Sequence, residues 1–251
     1  MTNFSDWLYP YPPLQAGILL KRYKRFFADI ELETGEVITA HCPNTGPMTG
    51  VCQVGQPVRV SRSDNPKRKL AYTWEMIQVS EPEPTWVGVN TNLPNRIIKA
   101  ALGDRLLPEL ATRYTRVASE VKYGIEGRSR IDFLLTDAAG EQPVYVEVKN
   151  TTWAIGDCAV FPDTVTTRGQ KHLQELMALP SPAQAVMLYF INRGDCLTFA
   201  PGDRADSQYG ELFRQAIDQG VEVLPYRFAV SPAGVRCLGL ASLQLSMNAA
   251  D

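Results

Sequence analysis

Asp132, Glu147 and Lys149 are the side chains whose types and spacing could do chemistry together, because one hairpin brings them to one place. Residues 129–135 and 144–150 are apolar, β-prone segments separated by Thr-Asp-Ala-Ala-Gly-Glu-Gln-Pro, so they are expected to pair as antiparallel strands. With the turn centred between Ala139 and Gly140, Asp132 falls opposite Glu147. Side chains alternate along a strand, which puts Glu147 and Lys149 on one face. The other face would set Ile131 against Val148 and Phe133 against Val146, an apolar surface to bury. Two carboxylates and an ammonium gathered on a sheet can hold a divalent cation beside a cleavable phosphate. A Glu-x-Lys pair taken alone is also the mark of a solvated strand face with a cross-strand ion pair. Asp132 in register tilts the reading, since opposed carboxylates repel unless a cation lies between them.

The elements that must position this hairpin alternate in type. Residues 95–102 and 108–114 read as helical, with Ile97, Ile98, Ala101 and Leu102 recurring at helical spacing. A strand at 119–123 precedes the hairpin. Residues 166–177 form a helix, with Pro180 and Pro182 just beyond its end. The run 185–191 is continuously apolar, as buried strands are. Asp206 is a candidate N-cap for a helix ending before Gly220, and 221–224 supplies a last strand. Helix, three antiparallel strands, helix, strand, helix, strand is an αβββαβ order with a mixed sheet, not a regular βαβ winding.

Upstream, residues 14–79 read as all-β. Strands at 16–23, 27–33 and 37–41, a turn-rich loop at 43–50, and strands near 57–61 and 70–79 follow one another. Five short strands in this span suggest a small barrel, for which an OB-fold is the commonest solution. Ser80-Glu-Pro-Glu-Pro-Thr85 breaks the pattern. The expected domains are therefore 1–80 and 86–251, with 81–85 as a linker or extended crossover.

A net charge of -2 does not announce a polyanion binder, so any basic surface must be local. Lys21-Arg22-Tyr23-Lys24-Arg25 interleaves cations with an aromatic ring, and Arg62 with Lys67, Arg68 and Lys69 forms a second cluster. Cations neutralise phosphates while rings stack bases, which is how small barrels hold single strands. Outward-pointing solubilising charge is the competing account. Five scattered cysteines without a CxxC read as thiols in a reducing cytoplasm, and His41, Cys42 and Cys52 match no familiar zinc spacing. No apolar run approaches the roughly 20 residues of a membrane span. The N-terminus is unlike a secretory leader. A cytoplasmic protein without a membrane partner is expected.

Asp132 followed by Glu147-Val148-Lys149 resembles the PD-(D/E)XK nuclease motif, with Ile131 in place of the family's usual proline. The element order resembles that family's restriction-endonuclease-like core. The resemblance implies Mg²⁺ or Mn²⁺ held by Asp132, Glu147 and the main-chain carbonyl of Val148. Lys149 would then position the nucleophile or balance the transition-state charge. Family members often present a glutamine or a basic residue from the following helix, here Gln170 and Arg168, and some use an extra acid, here Glu120. An ordinary polar helix residue and a surface charge are the plain alternatives for Gln170 and Glu120. His172 is expected on the helix surface, because a metal-activated mechanism needs no histidine base.

Over most of its length the chain resembles the sugar fermentation stimulation protein A family. The segments that carry this are Leu20-Lys-Arg-Tyr-Lys-Arg-Phe, His41-Cys-Pro-Asn-Thr-Gly-Pro-Met, Pro94-Asn-Arg, Ser129-Arg-Ile-Asp-Phe-Leu, Val146-Glu-Val-Lys-Asn-Thr-Thr and Phe161-Pro-Asp-Thr-Val-Thr-Thr-Arg-Gly-Gln-Lys-His. That resemblance implies an OB-fold followed by a nuclease-like domain, DNA binding, and a regulatory role in sugar (maltose) use. The leading expectation is a cytoplasmic protein that binds DNA, or RNA, and carries a Mg²⁺-dependent phosphodiesterase site. Sequence-specific reading is not expected, since no helix-turn-helix with a clear recognition helix is present. A non-catalytic DNA-binding regulator that keeps the nuclease fold as a scaffold is the alternative, and oligosaccharide binding by the barrel is a third.

Overall fold

The structure, a computed structural model, describes residues 8–80, 83–124 and 129–246. β1 (Tyr9–Pro10) pairs with a strand at 234–235 near the far end of the chain, and the first unit is built from β2 (Leu14–Tyr23), β3 (Phe27–Leu32), β4 (Val37–His41), β5 (Pro57–Arg62) and β6 (Tyr72–Val79). In β3, Ala28, Ile30 and Leu32 are buried while the residues between them are not, the period of a strand with one wet face. The strands run in the order β4-β3-β2-β5-β6, and a parallel β4–β6 pairing closes the circle. The result is the five-stranded OB barrel, filled by side chains such as Leu19, Ile30, Val58 and Trp74.

The chain leaves the barrel through β7 (Thr85–Gly88) and enters α1 (Leu93–Gly103) and α2 (Pro108–Ala111). There follow β8 (Arg116–Tyr123), β9 (Ser129–Thr136), β10 (Val144–Thr151), β11 (Ala154–Ile155), β12 (Cys158–Phe161), α3 (Thr167–Met177), β13 (Gln184–Ile191), β14 (Thr198–Pro201), α4 (Ser207–Asp218), β15 (Glu222–Ser231), β16 (Gly234–Leu240) and β17 (Ser242–Leu243). The second domain's part of the sheet is mixed as expected: β8, β9 and β10 are antiparallel, whereas β10, β13 and β15 run parallel. One face packs α1 against Phe133, Val146 and Leu188, and the other packs α3 and α4 against Ile131, Met187 and Tyr189. Covering on both faces explains why β13 is apolar and buried from Ala185 to Ile191. Asp206 caps α4 by accepting the Tyr209 N–H at 3.0 Å, as its position predicts.

Three elements depart from expectation. The helix at 108–114 shrinks to one turn, Pro108–Ala111. The strand read at 221–224 is not the last: β15 continues to Ser231 and returns as β16. A small sheet, β11-β12-β14-β17, has strands of two to four residues, too short to register as an alternating pattern.

Of the expected linker, 81–82 lie outside the described residues and 83–85 run straight into β7. β7 pairs with β6 on one side and meets β15 through Trp86 and Val230 on the other, so barrel and second domain share a continuous 13-stranded sheet. Gly88 sits where a side chain has no room, because a Cβ there would fall on the Asn192 amide. Its N–H donates to the Asn192 carbonyl at 2.9 Å.

Candidate active site

The hairpin pairs Leu135 with Val144, Leu134 with Tyr145 and Phe133 with Val146, the register expected from the turn. At Asp132 the backbone pairing stops. The Val148 N–H donates instead to Asp132 Oδ2 at 2.7 Å, and Asn95 Nδ2, from α1, donates to Oδ1 at 2.7 Å. In extended chain a residue's N–H and C=O leave along the same edge, so the Val148 carbonyl is directed to the Asp132 side. Ile131 does not share a face with Val148, contrary to expectation: it packs beneath α3, while Val148 packs with the α1 cluster. A strained position in β8 lies opposite this break. Glu120, flanked by the Ser119–Phe133 and Val121–Ile131 pairs, has φ 55°, a left-handed conformation that costs a non-glycine residue about 1 kcal/mol or more. Between β9 and β10 a carboxylate takes the place of a ladder carbonyl.

Glu147 is 3% exposed. Its Oε1 accepts from Lys149 Nζ at 2.7 Å and is also in close contact with His172 Nδ1. His172 is not on the helix surface, where it was expected, but 5% exposed, on the face that α3 packs against the sheet. Arg168 Nε donates to His172 Nε2 at 3.4 Å. Lys149 Nζ lies 2.8 Å from that same Nδ1. Glu147 Oε2 is buried and has no hydrogen-bond partner among the described residues. A carboxylate oxygen left this way is costly, and a cation is the simplest group to satisfy it.

The two acids are held in different states. Burial pushes the Glu147 pKa up, but Lys149 and then His172 outweigh it and hold the carboxyl below the ordinary range. For Asp132, burial and then the Glu147 charge push the pKa up to about 6, against the Val148 N–H, Asn95 and Lys149. One acid is firmly ionised and its neighbour resists ionisation because of it, a conflict that a divalent cation resolves. Among the described residues no three His, Cys, Asp or Glu side chains converge on one point, so His41, Cys42 and Cys52 form no zinc centre. The available set of two carboxylates and a main-chain carbonyl suits a hard cation that keeps several waters.

The accessory residues divide. Arg168 reaches the cluster through His172. Glu120 is exposed and lies across the ladder from Asp132. Gln170 does not face the acids: its Nε2 donates to both oxygens of Asp206, at 2.9 Å each, and ties α3 to the start of α4. The basic clusters divide as well. Arg22 is consumed by its own domain, donating to the carbonyls of Asn44 and Gly46 at 2.8 Å and thereby shaping the 43–50 loop. Tyr23 stacks on Phe27, carries the Lys21 ammonium over its ring and donates to Asp29, so its ring is not the free one. The exposed groups are Lys21, Lys24, Arg25 and the 48% exposed Phe26 at the β2–β3 turn, with Arg62, Lys67 and Lys69 in the second cluster. Arg68 is exposed too but donates to Thr73 Oγ1 at 2.9 Å.

Two family models match the chain: the SfsA N-terminal OB domain over residues 20–89 and the sugar fermentation stimulation protein RE domain over 92–234. The sugar fermentation stimulation protein homolog of Picosynechococcus sp. is 68% identical over 237 residues, covering 94% of each chain. That of Synechocystis sp. is 66% identical over 238 residues, covering 95% of this chain and 99% of the relative. A solved structure, described as Pyrococcus furiosus SfsA in complex with Ca²⁺, superposes with a TM-score of 0.80 at 23% identity, over 95% of this chain and 99% of the other. The fold is shared across both domains.

Proposed function

This chain belongs to the sugar fermentation stimulation protein family, and from that premise we propose that it binds nucleic acid, DNA first, and carries a divalent-cation-dependent phosphodiesterase site at Asp132, Glu147 and Lys149. The observation that carries the reading is the buried, unpartnered Glu147 Oε2 beside an Asp132 whose ionisation that same glutamate opposes. The Ca²⁺ complex of the Pyrococcus furiosus relative supports a hard cation in this fold. Mg²⁺ or Mn²⁺ held by Asp132, Glu147 and the Val148 carbonyl would polarise a phosphate and acidify a bound water.

The chain's own residues prepare that chemistry. Asn95 and the Val148 N–H fix the Asp132 carboxylate. Lys149 and His172 both engage Glu147 Oε1, which leaves Oε2 as the oxygen to offer. Lys149 would offer its side-chain nitrogen to the phosphate's developing charge. Lys24, Arg25, Phe26, Lys67 and Lys69 would carry the strand across the barrel by charge and stacking. A cytoplasmic location fits five cysteines that form no disulfide among the described residues. No described helix is long and apolar enough to cross a membrane. A role in sugar use, which the family's name carries, would act through the DNA contact.

The test is incubation with plasmid and oligonucleotides in Mg²⁺ or Mn²⁺. Cleavage should be lost in Asp132→Ala and Glu147→Ala; cleavage that survives both variants removes the assignment. The scaffold reading is favoured by one feature: Lys149 Nζ is engaged by Glu147 and His172, and Gln170 by Asp206. It predicts salt-dependent binding, no cleavage, and little effect of Lys149→Ala on affinity.

A further inference from the structure

The barrel loop at 43–50 and the segment after β12 take no part in the acid cluster, yet they meet over a cavity of about 170 Å³. Asn44 on the loop, Asn150 and Thr151 at the end of β10, and Asp163 beyond β12 supply polar walls. Trp153 and Phe161 add ring surface. Thr151 is 1% exposed, and its hydroxyl has no hydrogen-bond partner among the described residues. Native proteins rarely leave a buried hydroxyl bare, because the lost hydration is uncompensated.

The neighbouring groups are committed in a way that defines what the cavity can take. Asn44 Oδ1 accepts the Gly46 N–H at 2.9 Å, and Asn150 Oδ1 accepts from Asn192 Nδ2 at 3.0 Å, so each amide keeps its nitrogen as a donor. Asp163 Oδ2 accepts the Thr49 N–H at 3.4 Å and the carboxylate also meets the Met48 N–H and its own, which fixes it in place with about one of its four acceptor positions open. Two amide donors, one carboxylate acceptor and one hydroxyl, lining the cavity with Trp153 and Phe161, complement a flat heterocycle with ring acceptors and an exocyclic amine. Thr151 lies two residues beyond Lys149 on the same face of β10, about 6.6 Å along the strand. A base seated there would belong to a nucleotide next to the acid cluster.

We propose that this inter-domain cavity is a nucleobase pocket that takes one unstacked, amine-bearing base of a strand running past the acid cluster; the assignment builds on the phosphodiesterase-site reading above. Enzymes that do chemistry on a base hold it extruded in a pocket of this kind, and the same recognition would serve a strand held for backbone chemistry. Both domains contribute to the pocket, which gives the 43–50 loop, and Arg22 that shapes it, a purpose beyond closing the barrel.

The test is fluorescence anisotropy of end-labelled single strands in Ca²⁺: oligo-dC, oligo-dT, and an abasic strand of the same length. The intact protein should bind oligo-dC about tenfold tighter than the other two, the worth of one or two hydrogen bonds in a dry site. Thr151→Val and Asp163→Asn should cut that preference to about twofold and leave the abasic affinity unchanged. Thr151→Val should melt no lower than the parent, because it removes a hydroxyl that bonds to nothing. Equal binding of the three strands, or a preference intact in Thr151→Val, overturns the pocket. Displacement of the strand by a free hexose overturns it in favour of a sugar site. Glu147→Ala separates the two claims: it should abolish the Ca²⁺ dependence of binding and keep the base preference. If the intact protein shows the preference with no Ca²⁺ dependence, the cation reading fails and the pocket stands.

Discussion

Asp132→Asn should make the protein more stable at neutral pH while removing its response to divalent cations. In the folded chain burial and the Glu147 charge lift the Asp132 pKa from 3.8 to about 6. At 1.36 kcal/mol per unit, a lift of about two units costs about 3 kcal/mol when Asp132 is ionised. Its carboxyl is partly solvated, which trims the figure to about 1–3 kcal/mol. The sign follows from linkage: the folded state binds this proton more tightly than the unfolded chain, so the penalty is absent below the unfolded pKa. It grows as pH rises from about 4 to about 6 and then stays constant. Asparagine cannot ionise. Its oxygen can still accept the Val148 N–H, and a flipped Asn95 amide can accept from its nitrogen. Urea unfolding should therefore give equal stabilities near pH 4 and an advantage of about 1–3 kcal/mol for Asp132→Asn near pH 7.5. Mn²⁺ at a hundredfold excess over its dissociation constant should add about 2.7 kcal/mol to the parent and almost nothing to the variant. A variant less stable than the parent near pH 7.5, or one with an undiminished Mn²⁺ shift, would falsify the claim that these two acids share a cation.

Removing the charge partner acts in the opposite direction. Lys149→Met should cost about 3–5 kcal/mol near neutral pH, since it strips a cation from the buried Glu147, and the loss should shrink as acid protonates that carboxyl, whose pKa Lys149 holds low; chemical denaturation at two pH values reads this. Lys24→Ala with Arg25→Ala should leave the urea midpoint unchanged and flatten the slope of log affinity against log salt for single strands by about 1.4; an unchanged slope removes the β2–β3 turn from the interface. Arg22→Lys should do the reverse, losing about 1–3 kcal/mol of stability with the salt slope intact, because a lysine cannot span the carbonyls of Asn44 and Gly46 together. Gly88→Ala should destabilise by about 1–3 kcal/mol in thermal melts, and a neutral outcome would mean that β7 can draw away from Asn192.

Residues 129–150 by themselves specify the hairpin register, because turn position and side-chain alternation are local properties and need nothing beyond the two strands. The barrel strands, the αβββαβ order and the Asp206 cap are legible for the same reason: each rests on a short pattern of apolar spacing, turn residues or capping oxygens. Alternation says which face a side chain takes but not what stands across from it. That is why His172 is buried against Glu147, Gln170 is drawn away to Asp206, and Arg22 is spent on loop carbonyls, each against the reading of its own segment. The end of the β9–β10 pairing at Asp132, where Asn95 of α1 meets its carboxylate, and the meeting of the 43–50 loop with Asp163, join residues far apart in the chain. Only the packing of α3 and α4 on the sheet, and of the barrel on the second domain, could choose these partners, because burial makes each polar group find whatever donor or acceptor the neighbouring element presents.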